Sequence, residues 1–319
     1  MLVMTNLFKS LLLSVAACFV ATGCGSDSSG PENGGKPRIV ATTTMLADMA
    51  RQIVGDKAEV IGLMAPGVDP HTYELPARAI GQLNSADLVI YNGMLLEGKM
   101  GELIESLKSK GIDVFAAASV VPHEKLFTAE DLGDGHGDPH IWGDAELWSG
   151  VINPCSKRIA ALFPETEHAE IGAQAETYEG EVKALHEWIK ARIAEVPRTE
   201  RLLVTSHDAF NYLGKAYAVE VVGVQGISTA TDAGIADIVA TVDLIKERKA
   251  KAVFVESSVS PATIERIAQD AGVKIGGELF SDSCGPSGEM EMISSQEYDL
   301  GTYIGMMKHN INTVVEALK

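Results

Sequence analysis

Long apolar runs are missing from this chain of 319 residues, and so is any excess of positive charge. The apolar stretch near the amino end, Leu11 to Val20, falls well short of the roughly 20 residues that a membrane-crossing helix needs. Lys and Arg number 26 against 44 Asp and Glu, for a net charge of -18. Such a surface repels phosphate backbones, which excludes nucleic acid as a partner. It also concentrates cations, but solubility alone accounts for an acidic surface, so the balance permits a metal ligand without arguing for one. Cysteine is scarce, with four in the whole chain. No low-complexity segment occurs beyond residue 37, and no internal repeat longer than one tripeptide is evident.

What the amino end does carry is a leader. Lys9 precedes the apolar run, and Ala21-Thr22-Gly23 follow it immediately before Cys24. That order is a signal peptide, and small residues before a cysteine resemble a bacterial lipobox, with Ala21 where the motif prefers Leu. Residues 1–23 are therefore expected to be cleaved and Cys24 to carry lipid, plain secretion being the alternative. Residues 24–37 contain GSDSSGPENGGKP, which holds nothing able to anchor a core. They are expected to form a flexible tether spanning roughly 20 Å root-mean-square, beside a membrane surface. Cleavage removes Lys9 and no acid, and it also removes Cys18. Cys155 and Cys284 then remain, and a bridge between them or two free thiols are both open, because sequence does not set their separation.

From residue 38 onward the chain exceeds the usual single-domain size, and its pattern divides it. Strands at IVATTT, Val60 to Met64, LVIYN and VFAAA alternate with amphipathic helices starting near Met45, Ala77 and Glu102. After Arg201 the alternation returns, with strands at LLVTS, VEVVGV, AVFVE and VKIGGEL and helices near 210–217, 235–248 and 261–271. Between these halves, residues 165–196 lack β-branched runs and end at Pro197, which reads as one helix of roughly 45 Å. Leu185, Trp188, Ile189 and Ile193 give it a buried stripe. The expected fold class is α/β: two Rossmann-like lobes with mostly parallel sheets, over 38–164 and 198–319, joined by one long rigid helix over 165–197. A ligand site in the cleft between the lobes follows from the strand ends that meet there.

The tripeptide that recurs is Asp-Pro-His, at Asp69-Pro70-His71 and Asp138-Pro139-His140. Proline fixes its own φ and biases the preceding Asp to extended geometry, so each imidazole is presented from a stiff turn. Asp69 and Asp138 are candidate acceptors for a ring N–H, setting the tautomer of a ligating His. His207, at the end of the strand pattern LLVTS, is a third candidate, with Asp208 beside it as a further outer acceptor. Asp282, just past the strand VKIGGEL, is a fourth. Glu256, which closes AVFVE, is read either as an outer-shell partner or as a buried partner for an Arg. Three imidazoles and one carboxylate suit zinc in a tetrahedron, and also manganese or ferrous iron when both carboxylate oxygens bind. Calcium and magnesium prefer all-oxygen sites. Four protein ligands leave no open position for a catalytic water, which favours capture over hydrolysis. His123 and His136 read as exposed loop residues, handing metal to the site being the alternative; His168, His186 and His309 read as surface or packing residues, and Met45, Met49, Met306 and Met307 as helix core faces.

The segments GVDPHTYEL, ADLVIYNGMLLEG, DPHIW, SHDAFNYLGKAY, GISTATDAGIADIVATVDLIK, VFVESSVSPATIERIA and GGELFSDS resemble, in order, those of the cluster A-I metal-binding lipoproteins. These are the zinc and manganese solute-binding components of ABC importers. The resemblance spans nearly the whole mature chain. It implies one divalent ion on His71, His140, His207 and Asp282, and no enzymatic activity. It also implies an extracytoplasmic, membrane-anchored monomer, periplasmic or at the cell surface, that serves an ABC permease and its ATPase. His207 matches the zinc-binding and mixed branch, since manganese-selective members often carry Glu there. The long His- and acid-rich loop of zinc-specific members is short here, with His123 and His136 alone, so the two cues on the metal disagree. Two rival readings are a surface adhesin lipoprotein and a zinc-dependent hydrolase, the latter requiring an exchangeable water where Asp282 stands.

Overall fold

Two of the expected strands are buried along their whole length, Leu88–Tyr91 and Leu202–Thr205, as parallel strands covered on both faces must be. In the computed structural model, which describes residues 35–128 and 137–319, β1 (Arg38–Ala41), β2 (Glu59–Gly62), β3 (Leu88–Tyr91) and β4 (Asp113–Ala116) form a parallel sheet. Its order is β2-β1-β3-β4. The expected signal peptide 1–23, the lipid site Cys24, most of the tether and His136 lie outside the described residues. One face of the sheet, with Ile39, Ala41, Leu88 and Ile90, packs against α1 (Thr44–Val54) and α4 (Ala145–Ala160). The other, with Val40, Val89, Tyr91 and Val114, packs against α2 (Ala77–Asn84) and α3 (Lys99–Leu107). That alternation is the two-residue period of a strand made visible.

The carboxyl-terminal half repeats the plan. β5 (Leu202–Thr205) pairs in parallel with β6 (Glu220–Gly223), β7 (Ala252–Glu256) pairs in parallel with β8 (Lys274–Leu279), and β5 runs beside β7. α6 (Asn211–Tyr217), α7 (Ile235–Arg248) and α8 (Ala262–Ala271) follow strands, and α9 (Tyr303–Leu318) closes the chain. Leu202, Val204 and Val253 face α7 and α8, while Leu203, Ala252 and Phe254 join the core that α9 completes. The fold is mixed α/β with mostly parallel sheets.

Between the halves runs α5 (Glu165–Ile193), 29 residues and so about 44 Å long. Pro164 stands at its start, Glu165 and Glu167 lie in its first turn and Lys190 and Arg192 in its last, in register with the helix dipole. Ile171, Ala175, Tyr178, Val182, Leu185, Ile189 and Ile193 bury one stripe against α4, α1 and α9. Packed along its length on three helices, it is a rigid connector. It ends at Ile193, three residues before the expected stop. Trp188 is half-buried, and the Lys308 ammonium sits 4.2 Å from its ring centroid.

Some boundaries shift. α3 starts at Lys99, not Glu102, because Gly98 at φ 47 lets the chain turn into the helix earlier. α4 has no counterpart among the expected elements. Pro154 lies inside it, yet Asp144 caps its start by accepting from Glu146 N and Leu147 N, and Leu147, Trp148, Val151, Ile152, Cys155 and Ile159 bury one face. The hairpin of β9 (Met290–Ile293) and β10 (Gln296–Asp299) is likewise unanticipated. No described helix is long and apolar enough to cross a membrane.

Candidate metal centre

His207 and Asp282 sit just beyond the carboxyl ends of β5 and β8, His71 lies in the loop between β2 and α2, and His140 lies shortly before α4; each is held by a different device. In the first Asp-Pro-His turn, Asp69 Oδ1 accepts the His71 backbone N–H at 2.9 Å. Its other oxygen accepts the hydroxyls of Thr72 at 2.8 Å and Thr229 at 2.6 Å. Asp69 therefore fastens the loop, and fastens it to the carboxyl-terminal half, without hydrogen-bonding the imidazole. In the second turn Asp138 Oδ1 accepts both the His140 backbone N–H, at 2.9 Å, and its ring Nδ1–H, at 2.7 Å. Asn92 Nδ2 donates to Pro139 O at 2.9 Å and the Tyr212 hydroxyl to Asp138 O at 3.0 Å. Asn92 is itself fixed by buried Glu97, which accepts from Asn92 N, Gly93 N and Thr42 Oγ1.

His207 follows β5 by two residues. Its backbone N–H donates to Glu256 Oε1 at 2.9 Å, and its ring Nδ1 lies 2.6 Å from Glu256 Oε2. Glu256 thus faces this His and not an Arg. The neighbouring turn tolerates only glycine at position 223, because a Cβ there would come within 2.5 Å of Asp208 N. Asp282 follows β8, and its neighbours are tied to the amino-terminal half. Trp142 Nε1 donates to Ser281 O at 2.8 Å, Gly67 N to Ser283 Oγ at 2.9 Å, and Cys284 N to Thr44 Oγ1 at 2.7 Å.

These loops converge. One donor atom from each of His71, His140, His207 and Asp282 lies within 4.8 Å of the others. His71 Nε2 is 3.3 Å from His140 Nε2, which is 3.3 Å from Asp282 Oδ1, and His207 Nε2 is 3.3 Å from Asp282 Oδ2. A tetrahedral ion with bonds of about 2.0–2.1 Å places its ligand atoms about 3.3–3.4 Å apart, and these three spacings, which involve both oxygens of Asp282, are of that size. His140 and His207 are 0% exposed and Asp282 1%. His71 is partly exposed and borders a cavity of about 610 Å³ shared with Tyr73, Leu95, Met100 and Ser228. Buried His207 Nε2 and Asp282 Oδ1 have no hydrogen-bond partner among the described residues, an arrangement that costs stability unless a cation meets them.

Among the protein charges alone, the four groups divide. Burial lowers the His71 imidazole to about 4, with Asp282 opposing and the other two imidazoles adding to the fall. Burial also opposes charge on His140, but Asp138 and Asp282 outweigh it and raise the group to about 9. His207 is held well above its ordinary value, burial being outweighed by Glu256 and Asp282. Burial would raise Asp282, yet His207 and His140 bring it well below the usual carboxylate range. The pocket is built to hold positive charge, and a divalent ion supplies it more compactly than protons on separate rings.

The other candidates fall elsewhere. Asp208, raised by burial, does not face the His207 ring, where Glu256 stands instead. His168 Nε2 meets Phe163 O at 2.9 Å, His186 Nδ1 meets the Tyr217 hydroxyl at 3.1 Å, and His309 Nε2 meets Glu278 O at 3.0 Å. These are helix-packing contacts. His123 is exposed in a short turn. Met45, Met49, Met306 and Met307 are buried in the core. Cys155 and Cys284 are free and buried. Sequence reasoning missed Asn92, Trp142, Thr44, Tyr212 and Ser258, whose partners lie far away along the chain and follow no spacing rule.

Known proteins are similar to this chain in sequence and fold. The family model described as zinc-uptake complex component A, periplasmic, matches residues 39–317. The manganese-binding lipoprotein MntA of Bacillus subtilis is 39% identical over 310 residues, 95% of this chain and 96% of that protein. The zinc-binding protein TroA of Treponema pallidum is 36% identical over 95% of this chain and 98% of its own length. A solved structure of TroA matches with a TM-score of 0.82, over 89% of this chain and 99% of that one. The manganese ABC transporter substrate-binding lipoprotein PsaA of Streptococcus pneumoniae is 28% identical over 97% of this chain and 98% of its own length.

Proposed function

The chain belongs to the zinc-uptake complex component A family, and from that membership we propose that it is the extracytoplasmic solute-binding lipoprotein of an ABC importer for zinc or manganese. It captures one divalent ion on His71, His140, His207 and Asp282 and releases it to a membrane permease driven by an ATPase. The observation that carries this reading is the meeting of three imidazoles and one carboxylate within 4.8 Å, all but His71 fully buried. Asp138 and Glu256 orient the imidazoles of His140 and His207 through Nδ1, leaving each Nε2 lone pair aimed inward. Asp69 holds the His71 turn. Residues 38–164 and 198–319 act as the two lobes, and the connector over 165–197, whose helix is α5 (Glu165–Ile193), limits their relative motion. Lipid on Cys24 tethers the monomer to the membrane.

Zinc and manganese both suit this donor set, and ferrous iron takes third place. Hydrolysis is disfavoured, because the fourth ligand occupies the position a catalytic water would need. Adhesion is not favoured by relatives named for metal binding and transport. Uptake of radiolabelled zinc and manganese by cells lacking the gene tests the proposal. Uptake falls on deletion, returns with the wild-type chain, and does not return with His140→Ala. Full restoration by His140→Ala would count against it.

A further inference from the structure

His140, His207 and Asp282 are closed off from solvent, and His71 alone of the four borders the cavity of about 610 Å³. Tyr73, Leu95 and Met100 wall that cavity from the amino-terminal half, Ser228 and Ala230 from the carboxyl-terminal half. Six hydration waters of about 30 Å³ each need roughly 180 Å³, so the cavity has room for a hydrated ion. An ion that passes this way meets His71 first, and the His71 turn must give way before the three enclosed ligands are reached.

A hydroxyl from the other half holds that turn. Thr229 Oγ1 donates to Asp69 Oδ2 at 2.6 Å, the same oxygen accepts from Thr72 Oγ1 at 2.8 Å, and Oδ1 accepts the His71 N–H at 2.9 Å. Thr229 stands between Ser228 and Ala230 in the loop from β6 to α7, so its hydrogen bond joins the two walls of the cavity. The loop is anchored at its start, where Gln225 N donates to Ser206 O at 2.9 Å and Ile227 is buried. Beyond that point Ser228, Ala230, Thr231 and Asp232 are exposed, and Thr229 is partly buried.

We propose that Thr229 latches the ion's path, setting how fast the ion enters and leaves by holding the His71 turn against the carboxyl-terminal half. The inference rests on the reading of the cluster as a metal-capture site. The two halves are also joined through Trp142, Gly67 and Thr44, so opening the path takes a local movement of the His71 turn and not a parting of the lobes. That movement breaks the Thr229 hydrogen bond whichever way the ion travels. Thr229 is therefore a positioning residue that slows capture and release alike and leaves the affinity nearly unchanged. A residue that only shaped the ligand geometry would change the affinity, and would do so through release.

Stopped-flow measurement of zinc association with the purified mature protein, and of zinc release to a chromophoric chelator, tests this on wild type, Thr229→Val and Thr229→Ser. Thr229→Val keeps the shape of the side chain and removes its donor. Both rate constants are expected to rise about tenfold, the order of one hydrogen bond to a carboxylate, with Kd within about threefold of wild type. Thr229→Ser, which keeps the hydroxyl, should hold both rates near the wild-type values. Unchanged rates in Thr229→Val, a weaker affinity with association unchanged, or an equal change in Thr229→Ser overturns the latch while leaving the metal site standing. If the wild type binds no zinc, the capture reading itself falls, and this proposal with it.

Discussion

Asp138 and His140, two residues apart and both fully buried, meet twice: Asp138 Oδ1 accepts the His140 backbone N–H at 2.9 Å and its ring Nδ1–H at 2.7 Å. The double contact fixes tautomer and ring direction together, so His140 has one way to point. Asp138→Asn should weaken metal binding by about 10- to 100-fold, the usual loss for an outer-shell partner. Chelator competition measures it. An affinity within twofold of wild type would mean that the carboxylate does not orient this imidazole.

Removing a ligand should uncouple metal from stability. An ion that binds only the folded state stabilises it by about 4 kcal/mol at a thousandfold excess over Kd. Thermal unfolding of the wild type with zinc should therefore shift upward by several degrees, and Asp282→Ala should lose most of that shift at equal metal. A full shift in Asp282→Ala would show that the carboxylate is not a ligand.

The affinity should climb with pH over a window set by His140. Its folded value of about 9 exceeds the ordinary 6.5. The metal-free fold therefore gains stability from this proton below about 6.5 and loses that gain as pH rises toward about 9. An incoming ion must displace the same proton, so binding strengthens in the same interval, by about tenfold per pH unit for each proton released. Metal-induced thermal shifts at about pH 6, 7, 8 and 9 check this, and equal shifts throughout would contradict it.

Metal loss should change the overall dimensions little. The Asp282 segment is hydrogen-bonded to Trp142, Gly67 and Thr44 through groups that no ion touches. Asp48 on α1 accepts from Tyr303 N at 2.9 Å and from the Tyr178 hydroxyl at 3.3 Å, joining α1 to α9 and α5. Small-angle scattering should give nearly the same radius of gyration with and without zinc. A wide opening of the metal-free protein would contradict the rigid connector.

Cys155 and Cys284 should stay unreactive in the native protein. Both are free and buried, and burial pushes the Cys155 thiol up to about 12 and raises Cys284 as well. A thiol reagent should find both only in denaturant. Reaction of either under native conditions would argue against this packing.

The ligand residues were legible in the sequence because His207 and Asp282 each follow a strand pattern, and His71 and His140 share a turn whose proline dictates its shape. The supporting residues were less so. Asp69 and Asp138 occupy the same place in the same tripeptide, yet only Asp138 meets its own imidazole; Asp69 reaches Thr229, 160 positions away. Glu256 could be named as a partner, but which group it faces depends on β5 running beside β7, which no local pattern encodes. α4 was hidden by Pro154, whose missing N–H would have bonded Gly150, so capping and burial had to outweigh propensity. The β9–β10 hairpin turns on Ser294 and Ser295 at φ 53 and 68, where Asn-Gly would have announced it.

The central claim is that four residues from distant parts of the chain hold one ion. Titration of the metal-free mature protein with zinc, followed by elemental analysis after gel filtration, tests it most directly, with wild type and His140→Ala side by side. The account predicts one zinc per wild-type chain and none retained by His140→Ala. Two tightly held ions in the wild type, or one retained by His140→Ala, would contradict it.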